Sequence, residues 1–172
     1  MSSGSKARQR KLAINRLRER SPDHDALSRF FARHTFPLVE GTSCTFAVWR
    51  SCDEMFLRHR VLGLPDHLPL RRIEGTDVWY VVVDLPPESR VEYQFEARTG
   101  DRWERFNDPH NPRIARSPVG DSSVCSSAGY AVPDWAIHDP EARPGELVEL
   151  SLRSQAQRRT NRVTVYLPAR FR

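Results

Sequence analysis

Between residues 42 and 106 the chain is a series of short runs in which apolar and polar residues alternate. From Thr42 to Arg50, Cys44, Phe46 and Val48 alternate with Ser43, Thr45 and Ala47. Met55 to Leu62 is a second strand, and Leu68 to Ile73 a short, edge-like one after the Pro65-Asp66-His67 turn. Val78 to Leu85 is the most hydrophobic run, with Trp79, Val81 and Val83 on one face. Val91, Tyr93 and Phe95 alternate with Glu92, Gln94 and Glu96, the mark of a half-buried strand. Thr99-Gly100-Asp101 is a hairpin turn, and Arg102 to Phe106 returns from it. Short strands at this spacing predict an antiparallel β-sandwich of immunoglobulin type.

The period changes at the N-terminus. Lys6 to Arg20 reads as a helix with Leu12, Ile14 and Leu17 as its few apolar residues, and the expectation is a solvated, partly frayed helix. Its functional alternative is an arm for an anionic surface or nucleic acid. Ser21-Pro22-Asp23 starts a second helix, with Ser21 as cap and Pro22 in the first turn. Leu27, Phe30, Phe31 and His34 form its apolar stripe, and His34 serves the last carbonyls rather than a metal.

The strand pattern breaks at Asn107-Asp108-Pro109-His110-Asn111-Pro112. Each proline lacks an N–H and disfavours helix in the residue before it, so Asp108 and Asn111 are held extended, their side chains free to bond nearby backbone. Arg113 to Gly129 reads as polar and irregular, and Tyr130 with Trp135 as a clip holding a connecting segment on a surface. His138 to Gly145, with Pro140 and Pro144, reads as a linker. Glu146 to Ser154 and Asn161 to Pro168 are two further strands joined by a hairpin. The fold class expected is mainly β: an immunoglobulin-like antiparallel sandwich with an N-terminal helical extension and a C-terminal β-hairpin. Its divisions are a basic helical extension over 1–34, the sandwich over 35–137, a linker over 138–145 and the hairpin over 146–172.

Composition narrows the partners. The net charge of +5 is uneven: residues 1–20 carry seven Lys/Arg against one Glu, and the rest carry 20 against 21 acidic residues. A nearly neutral body argues against a nucleic-acid partner for the folded domain. No apolar run approaches the ~18 residues of a membrane span, and the basic start lacks the apolar core of a secretory signal. Three cysteines, Cys44, Cys52 and Cys125, match neither a disulfide framework nor a metal spacing. A reducing, cytoplasmic location is expected, with no cofactor.

Several of these stretches together resemble the enterochelin esterase-like family. They are Pro37-Leu38-Val39-Glu40 before Thr45-Phe46-Ala47-Val48-Trp49-Arg50, then Glu74-Gly75-Thr76-Asp77-Val78-Trp79-Tyr80, Leu85-Pro86, and Val91-Glu92-Tyr93-Gln94-Phe95. Asn107 to Pro112 is similar to that family's Asp-Pro-Leu-Asn-Pro signature, with His110 where Leu is usual. Ser154 followed by Arg162 to Pro168 looks like the first strands of its α/β-hydrolase domain. The resemblance implies an immunoglobulin-like, early-set domain related to glycogen-binding modules. It also implies a serine hydrolase domain that cleaves ester bonds of iron-chelating siderophores.

No Gly-x-Ser-x-Gly, the elbow that presents such a nucleophile, occurs in the sequence. Ser122, Ser123, Ser126 and Ser127 therefore receive no nucleophilic role, and no residue is assigned as catalytic or metal-ligating. By the resemblance, the chain is a substrate-recognition and packing module whose partner is the hydrolase domain and whose ligand is a ferric siderophore or related ester. Trp103, Arg105, Asp108 and Asn111 are the residues expected to face the substrate cleft. An Arg pairs with anionic catecholates and an aromatic ring stacks on theirs. The bland alternatives are a hairpin-core Trp103 and a self-capping Asp108 and Asn111. A competing reading is an α-glucan-binding module, for which Trp49, Trp79, Trp103 and Trp135 are the stacking candidates.

Overall fold

The computed structural model describes residues 12–61, 63–137, 139–141 and 143–169. The chain falls into two units, 1–131 and 132–172. Residues 6–11, where the first helix is expected to begin, lie outside the described part.

In the first unit two sheets form an antiparallel sandwich. One holds β1 (Leu38–Glu40), β2 (Ser43–Trp49), β6 (Val78–Asp84) and β5 (Arg71–Arg72), in the order β1-β2-β6-β5. The other holds β3 (Glu54–His59), β4 (His67–Pro69), β7 (Arg90–Thr99), β8 (Arg102–Phe106), β9 (Ile114–Ala115) and β10 (Ser122–Ser126). Its order is β4-β3-β7-β10-β9, with β8 also paired to β7.

β7 is long enough to carry two partners on one edge. β10 pairs with Arg90 to Tyr93 and β8 with Phe95 to Thr99. Asn107 to Pro112 leaves the sheet where β8 hands that edge over to β10. β10 lies in the stretch expected to be irregular, and Ser123, Val124 and Cys125 are buried. Serine-rich sequence hides it, because only Val124 and Cys125 are apolar, and pairing with β7 supplies what strand propensity does not.

The sandwich core lies between the sheets, with Phe46, Val48, Trp79 and Val83 from one and Met55, Leu57, Tyr93 and Phe95 from the other. Cys44 and Cys125, both free and buried, belong to it and interact through their thiols. The neighbouring Cys44 thiol and burial push the Cys125 thiol upward.

β2 is buried along nearly its whole length, although its pattern predicts only one buried face. The reason is a third layer. Helices α1 (Ala13–Glu19) and α2 (His24–Arg33) cover the other side of the four-stranded sheet. Leu12, Ile14, Leu17, Leu27, Phe31 and Phe36 pack there on Ala47, Val78 and Tyr80. This corrects the expectation of a solvated first helix: Ile14 is fully buried. The few apolar residues suffice because they share one side, two of them three residues apart.

Polar contacts fix the helical layer in place. The α1 N-terminus has no side-chain cap of its own, and the Glu40 carboxylate accepts from Ala13 N at 3.0 Å. An anion at that end also suits the helix dipole. Arg18 donates to the Tyr80 hydroxyl at 2.7 Å. Asp23, not Ser21, caps α2 by accepting from Ala26 N, while Ser21 takes a left-handed φ of 46° in the bend between the helices. His34 Nδ1 donates to the Phe30 carbonyl at 2.8 Å, the end-of-helix role expected of it.

The second unit contains a hairpin of β11 (Glu146–Ser154) and β12 (Arg159–Leu167), hydrogen-bonded to each other as a separate two-stranded sheet. Val148 faces Val165 and Leu150 faces Val163, so one side of the hairpin is apolar. Trp135, expected to clip a segment down, is 87% exposed: a 3-10 turn at Asp134–Ala136 presents it outward.

Candidate functional site

The four residues expected to face a cleft separate into two pairs. Side chains alternate along β8, so Phe106 joins the core and Trp103 and Arg105 project from the outer face of the six-stranded sheet. Asp108 and Asn111, just beyond it, turn inward and are 3% and 4% exposed.

The inward pair builds a closed polar node. Tyr93 donates to Asp108 Oδ2 at 2.6 Å, and Asn111 Nδ2 donates to the Tyr93 oxygen at 3.1 Å and to the Val124 carbonyl at 2.8 Å. Asp108 N donates to Ser123 Oγ, while Asp108 Oδ1 accepts from His110 N and Asn111 Oδ1 from Arg113 N. The self-capping geometry that the prolines favour is therefore present, and it is tied to two strands, β7 and β10, at once. Burial raises the Asp108 carboxyl above its ordinary value, against the pull of the Tyr93 hydroxyl and the His110 N–H. The Tyr93 phenol is pushed upward by burial and by the neighbouring carboxylate. His110 places its ring 4.7 Å from Phe31 and 6.0 Å from Phe36, joining this turn to the helical layer.

The outward pair belongs to a surface that crosses three strands and β4. Trp103, 50% exposed, lies 5.8 Å from Phe56, whose ring stacks on His67 at 4.0 Å. Glu96 sits between the two halves. Its Oε1 accepts from Arg105 Nη2 at 3.0 Å. Its Oε2 is 2.9 Å from His67 Nε2, off-axis for a hydrogen bond but in ion-pair range once that imidazole is protonated. The guanidinium of Arg105 is thus oriented while staying half-exposed.

Beside it runs a groove of about 380 Å³ lined by Arg58, Arg60, Gln94, Arg105, Ser117 and Ser122, with Asp66 and Glu92 among its other walls. Arg58 and Arg60 form no ion pair among the described residues. One oriented arginine with two unpaired ones beside an exposed aromatic row suits a planar, anionic ligand. They supply no nucleophile and base in contact. Among the described residues no group of His, Cys, Asp or Glu is placed to hold a metal ion.

Phe56, Arg58, Arg60, His67 and Glu96 escape sequence reasoning as site residues. The available signal was parity: Phe56 and Arg58 share the face of β3 opposite buried Met55 and Leu57. Of the tryptophans, Trp79 is buried and donates to the Arg50 carbonyl, and Trp49 lies half-buried beside Phe31. Ser123 and Ser127 are buried hydrogen-bonding residues, Ser127 Oγ donating to the Pro86 carbonyl.

No protein-family model matches the sequence, and no curated protein matches it. Among solved structures, the chain is similar to enterochelin esterase from Shigella flexneri, with a TM-score of 0.53 at 18% identity over 79% of this chain and 44% of that one. It is also similar to ferric enterobactin esterase from Salmonella typhimurium, with a TM-score of 0.52 at 16% identity over 71% of this chain and 40% of that one. The chain thus spans less than half the length of either esterase. At these identities the likeness shows the fold, a mainly β antiparallel sandwich of the kind found in the N-terminal portion of those esterases.

Proposed function

We propose that this chain is the N-terminal substrate-recognition and packing module of an enterochelin esterase-like serine hydrolase, without catalytic activity of its own. The observation that carries this reading is the fold likeness to enterochelin esterase, extending over 79% of the chain. Chemistry on the outer sheet face agrees with it. A ferric siderophore presents anionic catecholate rings, and Trp103 with Arg105 offers a stacking surface beside a fixed guanidinium. Asp108 and Asn111 serve that face indirectly, holding the turn into which β8 runs. The partner is a hydrolase domain of the same protein, and the location is cytoplasmic.

Titration with ferric enterobactin, followed by tryptophan fluorescence, tests this. Saturable quenching is expected, and the Trp103→Ala, Arg105→Gln double variant weakens it roughly tenfold or more. Identical affinity in the variant, or no binding by the intact chain, removes the recognition role. The chain alone is expected to turn over p-nitrophenyl esters no faster than buffer.

A second reading, an α-glucan-binding module, is favoured by one observation: Trp103, Phe56 and His67 line up on one face. Retardation in a native gel containing glycogen would support it, and unchanged mobility would leave the first reading in place.

A further inference from the structure

The helical layer holds a second concave surface. Between α1 and α2 lies a depression of about 420 Å³, in the range of small-ligand sites. Arg20, from the end of α1, and Arg29 and Arg33, one turn apart on α2, line it. Ser21, in its left-handed bend, lies between them.

None of these three guanidiniums forms an ion pair or hydrogen bond among the described residues. The acid in the lining, Asp23, has Oδ1 committed to Ala26 N. Like charges four residues apart weaken a helix, while Arg33 in the last turn suits the helix dipole. The burial of Ile14, Leu17, Leu27 and Phe31 beneath them holds both helices in place, so that the three arginines line one depression. Guanidiniums bind tetrahedral oxyanions through paired N–H donors, and several on one concave surface match a phosphate group better than a lone carboxylate.

We propose that the depression between α1 and α2 binds a phosphate-type oxyanion, with Arg20, Arg29 and Arg33 as its ligands. The site is independent of the outer sheet face and of the hydrolase reading. The phosphate belongs either to a soluble phosphate compound or to a phospholipid headgroup.

Two titrations of the full chain separate these sources. The first is calorimetry with pyrophosphate at constant ionic strength. The second is co-sedimentation with phosphatidylcholine vesicles, with and without phosphatidic acid. Saturable 1:1 pyrophosphate binding that falls roughly tenfold or more in Arg29→Gln, Arg33→Gln supports a soluble ligand. Sedimentation that requires phosphatidic acid and is lost in the same variant supports a headgroup. Binding of neither probe, or equal binding by the variant, overturns the proposal. Glutamine preserves helix propensity. Arg33→Gln alone, with an unchanged circular dichroism spectrum, serves if the double variant fails to fold.

Discussion

The Tyr93 hydroxyl donates to the Asp108 carboxylate at 2.6 Å, joining the middle of β7 to the proline-stiffened turn beyond β8. Both residues are buried, and Asn111 adds its amide to the same hydroxyl. The turn is thereby a joint between strands rather than a surface loop.

Removing the hydroxyl isolates a buried carboxylate. Tyr93→Phe leaves Asp108 Oδ2 without its donor and Asn111 Nδ2 with the Val124 carbonyl alone. The expected cost is about 2–3 kcal/mol, because hydrogen bonds to charged groups exceed neutral ones. Urea denaturation of the two proteins measures it. A midpoint unchanged from wild type would show that the node contributes nothing to stability.

The helical layer belongs to the fold, so truncating its buried side should be felt by the whole domain. Ile14 is fully buried against the four-stranded sheet. Ile14→Ala is expected to cost about 2–4 kcal/mol, as a buried aliphatic truncation that leaves a cavity. A single cooperative melt shifted downward is the expected result. A melt indistinguishable from wild type would return the helix to solvent.

His59 makes stability depend on pH. Its Nδ1 accepts from Val61 N, which places the proton of the neutral ring on Nε2. Burial is the main cause holding this imidazole below its ordinary value of 6.5; Arg58 adds to it, and Asp66 and the Pro65 carbonyl oppose it. As pH falls below 6.5, the unfolded chain takes a proton that the folded chain resists. The contribution is therefore complete above 6.5 and lost as pH falls through the lower folded value, at no more than ~1.4 kcal/mol per pH unit. Urea midpoints between about pH 7.5 and 5.5 should decline in the wild type and decline less in His59→Gln.

How far this was legible in the sequence differs by element. Alternation identified β2 and β7, a continuous apolar run identified β6, β3 was read as a second strand, and glycine at the 99–101 turn identified the β7–β8 hairpin. Such patterns record one buried face and need no knowledge of the partner strand. β10 was invisible because Ser123 is buried by pairing and by the bond from Asp108 N, and Ser127 just beyond the strand by its bond to Pro86, none of which local sequence displays. The second buried face of β2 was invisible for a related reason: Thr45 and Ala47 are compatible with solvent or interior, and only the helices above them decide.

The sequence by itself determined the strand periods, the proline-held turn, the two-helix start and the mainly β class, all of which depend on near neighbours. Tertiary structure decided which polar residues lie inside. Asp108 and Asn111 share a signature with exposed neighbours, yet they are buried because β7 brings the Tyr93 hydroxyl to them across 15 and 18 residues of chain. Trp103 and Arg105, a few positions earlier, are outside because the pleat of β8 points them away from Phe106 and the core. Residue type proposes hydrogen bonds, and only packing determines whether protein or water makes them.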